Sequence, residues 1–150
     1  MTTCIQTTSE NPDFQQLVKL LDADLAEKDG NEHAFYAQYN KTDNIKHVIV
    51  AYHSGLPVGC GAIKAFSAQA MEVKRLYVKP EHRGEGIATT IVKELEDWTK
   101  SLGYEKCVLE TGKRQKEAVA LYQKNGYQII PNYGQYIGVD NSVCFEKILR

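Results

Sequence analysis

No segment of the chain approaches the roughly eighteen consecutive apolar residues that a membrane-crossing helix needs. The first residues, Met1-Thr2-Thr3-Cys4-Ile5-Gln6, have neither the basic start nor the apolar core of a secretory signal. The expectation is therefore a cytoplasmic protein with no membrane partner. Cys4, Cys60, Cys107 and Cys144 lie far apart, without the paired spacing of zinc sites and redox motifs. No metal is expected and all four thiols are expected reduced, with Cys60, Cys107 and Cys144 serving as small core residues of strand-like runs. A formal charge of −1 and a pI near 6.4 give no bulk basic field, and no run of Lys and Arg is interleaved with aromatics. Nucleic acid is not an expected partner. Internal repeats and low-complexity linkers are also missing. What is present, 150 residues of which 43% are apolar, can bury one good core and is too short for two ordinary domains, so one domain over 1–150 is expected.

The most informative stretch is Arg83-Gly84-Glu85-Gly86-Ile87-Ala88, which joins a strand-like run to an amphipathic helix. Met71 to Val78 is rich in β-branched and aromatic residues, and Pro80 closes it because proline has no N–H to give a ladder. After the glycines, Ile87, Ile91, Leu95, Trp98 and Leu102 recur at helical spacing and Gly103 follows as a C′ residue. The glycines thus mark a helix start, where unpaired N–H groups and the positive end of the dipole gather. Without a Cβ, Gly84 and Gly86 let backbone approach a ligand, and Arg83 adds a fixed charge, a combination that suits a diphosphate. The Gly-Lys-Ser/Thr ending of the triphosphatase loop is absent, and so is the three-glycine dinucleotide fingerprint. Arg-x-x-Gly-x-Ala remains, with Glu72 eleven positions before Arg83.

The other elements follow from the same rules. Cys4 to Thr7 reads as a short strand, and Asn11-Pro12 as an N-cap and first helical residue. The helix that follows buries Phe14, Leu17, Val18, Leu21 and Leu25 and ends at Gly30. Glu32 to Tyr39 reads as a second short helix, and His47–Tyr52 with Pro57–Phe66 as a hairpin joined through Ser54-Gly55. Lys106–Glu110 is read as a strand, Lys116–Asn125 as a helix, and Gln128–Ile130 and Ser142–Ile148 as the last strands. This order of strands and helices, with hairpins at both ends, predicts an α/β fold whose mixed sheet is covered on both faces. The last strand is expected to offer an edge through which two copies could pair as a homodimer.

On these residues the chain resembles the GCN5-related N-acetyltransferase (GNAT) superfamily. Arg83 through Ala88 resembles that family's acetyl-coenzyme-A pyrophosphate loop, and Glu117 through Tyr127 resembles its later motif, a helix carrying Leu121-Tyr122 and then Gly126-Tyr127. The resemblance implies a central mixed sheet of about seven strands with a splayed parallel pair, flanked by about four helices. It further implies an acetyl-coenzyme-A-dependent N-acetyltransferase acting on a primary amine by direct attack in a ternary complex. Cofactor contacts carry over to Leu76, Tyr77, Val78, Arg83, Gly84, Glu85, Gly86, Ile87, Ala88 and Thr89, mostly through main-chain atoms, and to Gln115, where many relatives have Asn. Lys113, Arg114, Lys116 and Lys124 are candidates for the cofactor's 3′-phosphate.

The reaction needs a neutral amine, a place for charge on the carbonyl oxygen and a proton for the departing thiolate. A lysine-like ammonium with a pKa of about 10.4 loses roughly 4.6 kcal/mol on being made neutral at pH 7, whereas an α-amino group of pKa about 8 loses only about 1 kcal/mol. Glu72 is the candidate general base and Tyr122 the candidate acid or hydrogen-bond donor to sulfur. Strict alternation would put Glu72, Lys74, Leu76 and Val78 on one face, so that Lys74 could pair with Glu72. The resemblance implies that backbone N–H groups of Leu76–Val78 meet the carbonyl oxygen. Tyr36, Tyr39, Tyr133 and Tyr136 fall where the resemblance implies the acceptor binds and are expected to wall its pocket, where rings together with Glu32 or Glu72 suit a small cationic amine such as an amino acid or polyamine. A protein or peptide acceptor, and a non-catalytic acyl-coenzyme-A sensor, are the alternatives.

Overall fold

The computed structural model describes residues 2–29 and 45–150; the expected helix over 32–39, with Glu32, Tyr36 and Tyr39, and the stop at Gly30 lie outside them. In chain order come β1 (Thr2–Thr7), α1 (Pro12–Asp29), β2 (His47–His53), β3 (Leu56–Ala65), β4 (Ala70–Val78), α2 (Ile87–Ser101), β5 (Lys106–Gly112), α3 (Lys116–Lys124), β6 (Gln128–Ile130) and β7 (Ser142–Ile148). The strands form one seven-stranded sheet in the order β1-β2-β3-β4-β5-β7-β6. Every described pairing is antiparallel except β4 with β5, which is parallel. This is the mixed sheet that the order of elements predicts, with the central parallel pair that the family resemblance implies.

Local chemistry explains the boundaries. Asn11 caps α1, its Oδ1 accepting from the Phe14 N–H at 3.0 Å. Ser54 and Gly55 both have positive φ, 52° and 81°, the requirement of a tight turn that matches strand twist in the β2–β3 hairpin. Helix α2 buries Ile87, Ile91, Val92, Leu95 and Thr99. Leu102 does not continue this stripe: it is the C-cap, past the last full turn, and is 41% exposed.

The sheet divides the apolar side chains into two layers. On one face α2 and α3 cover Val73, Val78, Leu109 and Phe145; on the other, Phe14, Leu17 and Leu21 of α1 cover Val50, Cys60 and Tyr77. Gly59 and Gly61 of β3 let α2 lie close, since a Cβ at Gly61 would fall 2.9 Å from Ile91 Cγ2 and 3.0 Å from Leu95 Cδ1. Cys60, Cys107 and Cys144 are buried as expected for core residues.

Two expectations about the strands do not hold. The last strand, β7, is not an edge, because β5 pairs on one side of it and β6 on the other; the edges are β1 and β6. The alternation along β4 also breaks. Opposite β3, Cys60 pairs with Tyr77 and Ala62 with Lys74, so Arg75 and Leu76 share the space opposite Gly61. That extra residue is a bulge, and Arg75 in it has a φ of 58°. Beyond it the faces exchange: Leu76 and Val78 join the α2 layer, and Tyr77 joins the α1 layer.

Candidate active site

β4 and β5 begin as neighbours and then part. Only Ala70, Met71 and Glu72 pair with Lys106, Cys107 and Val108, although β4 runs on to Val78 and β5 to Gly112. A cavity of about 600 Å³ opens where the two strands diverge. The N-terminus of α2 and residues of α3 both line it.

The glycine loop supplies the first wall. Gly84 and Gly86 sit at φ 83° and 82°, the left-handed region in which a Cβ is strained, and a Cβ at either would point into open space. Gly86 is the N-cap of α2 and no side chain of the described residues caps the helix, so its first N–H groups remain available to an anion. Gly84, Gly86, Ile87, Ala88 and Thr89 all line the cavity. Glu85 does not: its half-exposed carboxylate stands 3.7 Å from His82 Nδ1. The Arg83 side chain is folded back, Nε donating to the Val78 carbonyl at 2.8 Å and the guanidinium lying 5.6 Å from the Tyr77 ring centre. Thr89 is tied to α3, since Asn125 Nδ2 donates to its Oγ1 at 3.4 Å.

α3 carries Tyr122 into the cavity. The side chain is buried against the Tyr127 and Phe145 rings, with centroids 5.7 and 6.0 Å away. Burial pushes its phenol up, and Glu110 adds to the rise, so the hydroxyl stays protonated. Gln115, the N-cap of α3, lines the cavity, as do Arg114, Lys116 and Lys124; Lys113 lines a separate depression beside Ile129.

Glu72 stands on β4 where the pairing with β5 ends, and it lines the same cavity. Lys74 Nζ lies 3.8 Å from Glu72 Oε1, close enough for the expected ion pair, with both side chains largely buried. Burial holds the Lys74 ammonium below its usual range, and Glu72 opposes that shift. The other carboxylate oxygen is taken: the Tyr133 hydroxyl donates to Glu72 Oε2 at 2.7 Å. Tyr133 is therefore a clamp on Glu72 and not one of the residues lining the cavity; Tyr136 does line it, beneath Tyr133 at a ring separation of 5.9 Å. Burial raises the phenols of both, with Glu72 contributing at each.

Leu76, Tyr77 and Val78 also line the opening, along the part of β4 that has left β5. Arg75 in the bulge and Glu110 on β5, neither of them a candidate site residue from the sequence, join them. Glu110 was legible in one respect: it is the charged residue of an otherwise apolar run, Cys107-Val108-Leu109-Glu110, two positions past the partner of Glu72.

With this geometry in place, comparison with known proteins is direct. A family profile described as "Acetyltransferase (GNAT) family" matches residues 14–127. An IAA acetyltransferase of Azospirillum brasilense is 37% identical over 102 residues, a match covering 67% of this chain and 67% of that protein. Among solved structures, an acyl-CoA N-acyltransferase assignment from Klebsiella pneumoniae superposes with a TM-score of 0.83 at 29% identity, covering 100% of this chain and 99% of that one. A GNAT family acetyltransferase from Elizabethkingia anophelis with acetyl-CoA bound shares the fold, with a TM-score of 0.69 at 19% identity over 99% of this chain and 98% of that one.

Proposed function

The chain belongs to the GNAT family of acetyltransferases, and on that premise we propose that it moves the acetyl group of acetyl-coenzyme A to a primary amine of a small molecule, an amino acid or polyamine, by direct attack in a ternary complex. The observation that carries this reading is the meeting, in one cavity between splayed strands, of an uncapped glycine-led helix start with Tyr122 and Glu72.

The residues present fit such a cosubstrate. Open space before the glycines and free N–H groups at the start of α2 suit its diphosphate, and the gap between β4 and β5 suits an extended arm. Acetyl-coenzyme A, when bound, supplies the acyl group as a thioester. Gly84, Gly86, Ile87 and Ala88 are assigned to hold the diphosphate, Thr89 and Gln115 to flank it, and Arg114, Lys116 or Lys124 to meet the 3′-phosphate.

Three groups of this chain then serve the transfer. Glu72 takes the proton from the incoming amine, directly or through water, with Tyr133 holding Oε2 and leaving Oε1 towards Lys74. Main-chain N–H groups of Leu76–Val78 on the β5 side, where the parallel ladder has ended, receive the charge that develops on the carbonyl oxygen. Tyr122, kept protonated by burial, donates to the departing sulfur. On the acceptor side Tyr136, Glu72 and Glu110 present a ring and two carboxylates, which favours a small ammonium-bearing substrate.

Acetyl-coenzyme-A turnover, followed by free-thiol release, tests the reading against amino acids, polyamines, aminoglycosides and short peptides with free N-termini. Turnover confined to small amines supports it. Preference for peptides moves the acceptor class, and cofactor binding without turnover on any amine identifies a sensor instead.

A further inference from the structure

The bulge in β4 is built from a residue poorly suited to it. Arg75 has a φ of 58°, which costs any residue with a Cβ, and its side chain is buried, the residue being only 6% exposed. Its Nη2 pairs with Oδ1 of Asp22 on α1, whose side chain is 51% exposed, while Arg75 Nε is buried without a hydrogen-bond partner among the described residues. The Cys60 thiol donates to the Arg75 carbonyl at 3.4 Å, fixing the backbone from the β3 side. A left-handed arginine with an unmet donor costs stability on two counts, and a glycine would fill the same turn without either.

What the arrangement secures is a spatial relation. The bulge exchanges the two faces of β4 just where the strand has left β5, and so decides which groups of 76–78 look into the cleft. Leu21, Asp24 and Leu25 of α1 line the same cavity beside Arg75. We propose that Arg75 and Asp22 are positioning residues for acetyl transfer: their ion pair locks α1, residues of which line the cavity, to the bulge that aims the main chain of β4 at the reacting carbonyl. The pair acts through α1 and the strand.

The proposal rests on the acetyl-transfer reading for its kinetic test. Asp22→Asn, a mild change at a half-exposed carboxylate, is expected to lower kcat with the preferred amine by about tenfold while leaving coenzyme-A affinity within about twofold. Arg75→Gly, which accepts the backbone angle, is expected to lose as much, and the double variant no more than either alone, because both remove one interaction. Asp22→Glu restores most of the rate. Unchanged kcat in Asp22→Asn, or losses that multiply in the double variant, overturn the proposal. Should wild type turn over no amine, the acetyl-transfer reading fails separately, and amide hydrogen exchange decides the pair: faster exchange in both α1 and 73–78 of Asp22→Asn supports the lock, and exchange unchanged in either overturns it.

Discussion

The hydroxyl of Tyr133 donates to Oε2 of Glu72 at 2.7 Å, joining the loop ahead of β7 to the strand that leads into the glycine loop, 61 residues away in sequence. The ring of Phe66 meets Tyr133 edge-on at 4.7 Å, so the clamp is itself held. A hydrogen bond to a charged group is worth about 1.5–3 kcal/mol. Tyr133→Phe keeps the ring packing and releases the carboxylate to turn. The expected result is a fall in kcat of about tenfold with coenzyme-A affinity unchanged, and equal kcat would show that Glu72 needs no clamp.

Glu72→Gln removes the proposed base and keeps the shape. Its loss of kcat is expected to grow as pH falls from 9 towards 6, because the neutral amine becomes scarcer by about tenfold per unit. A pH–rate profile parallel to that of wild type would take Glu72 out of the mechanism.

Tyr122→Phe leaves the packing against Tyr127 and Phe145 in place. Turnover is expected to slow by about tenfold or more at unchanged acetyl-coenzyme-A affinity, measured by calorimetry beside the kinetic assay. Near-normal turnover would reduce Tyr122 to a core aromatic.

Two glycine substitutions are expected to separate. Gly84→Ala meets no atom of the described residues within 4 Å but is strained at φ 83°, a cost of about 1–2 kcal/mol that falls on the glycine loop. Coenzyme-A affinity should drop. Gly61→Ala forces a Cβ to 2.9 Å from Ile91, and overpacking of that kind costs about 1–3 kcal/mol of stability. Thermal unfolding and cofactor titration of both variants check the contrast.

Burial raises the phenols of Tyr122, Tyr127, Tyr133 and Tyr136 above the ordinary value of about 10. The folded protein therefore keeps protons that the unfolded chain gives up. Their contribution to stability is whole below about pH 10 and is lost as pH rises towards the higher folded values. Phenolate absorbance of these four, out of nine tyrosines, is expected to appear together with loss of the circular-dichroism signal. All nine titrating before the fold is lost would contradict the burial argument.

The regular elements were legible because their signals are local. Asn11-Pro12, Ser54-Gly55 and the Ile87–Leu95 spacing each dictate geometry within a few residues; the place of β7 between β5 and β6 depends on distant pairings and was not legible in that way. The bulge at Arg75 was hidden, because nothing in Lys74-Arg75-Leu76 announces an extra residue: it is set by Cys60, Gly61 and Asp22, distant in sequence. The roles of Gly59 and Gly61 were hidden for the same reason, since it is α2 that comes close. At the site, the glycine loop and Tyr122 were marked by motif. Glu110 and the Tyr133–Glu72 bond depend on which strands become neighbours, and a linear pattern carries little of that.

The parallel ladder of β4 and β5 is three residue pairs long. Main-chain bonding therefore divides the sheet into a four-stranded and a three-stranded block, joined through this short seam and through the helices laid across it. A ligand that fills the gap would bond to both blocks at once and act as a removable crosslink. Cofactor loading should then raise the cooperativity of unfolding as well as its midpoint, with the bare chain melting over a broader range as the two blocks separate.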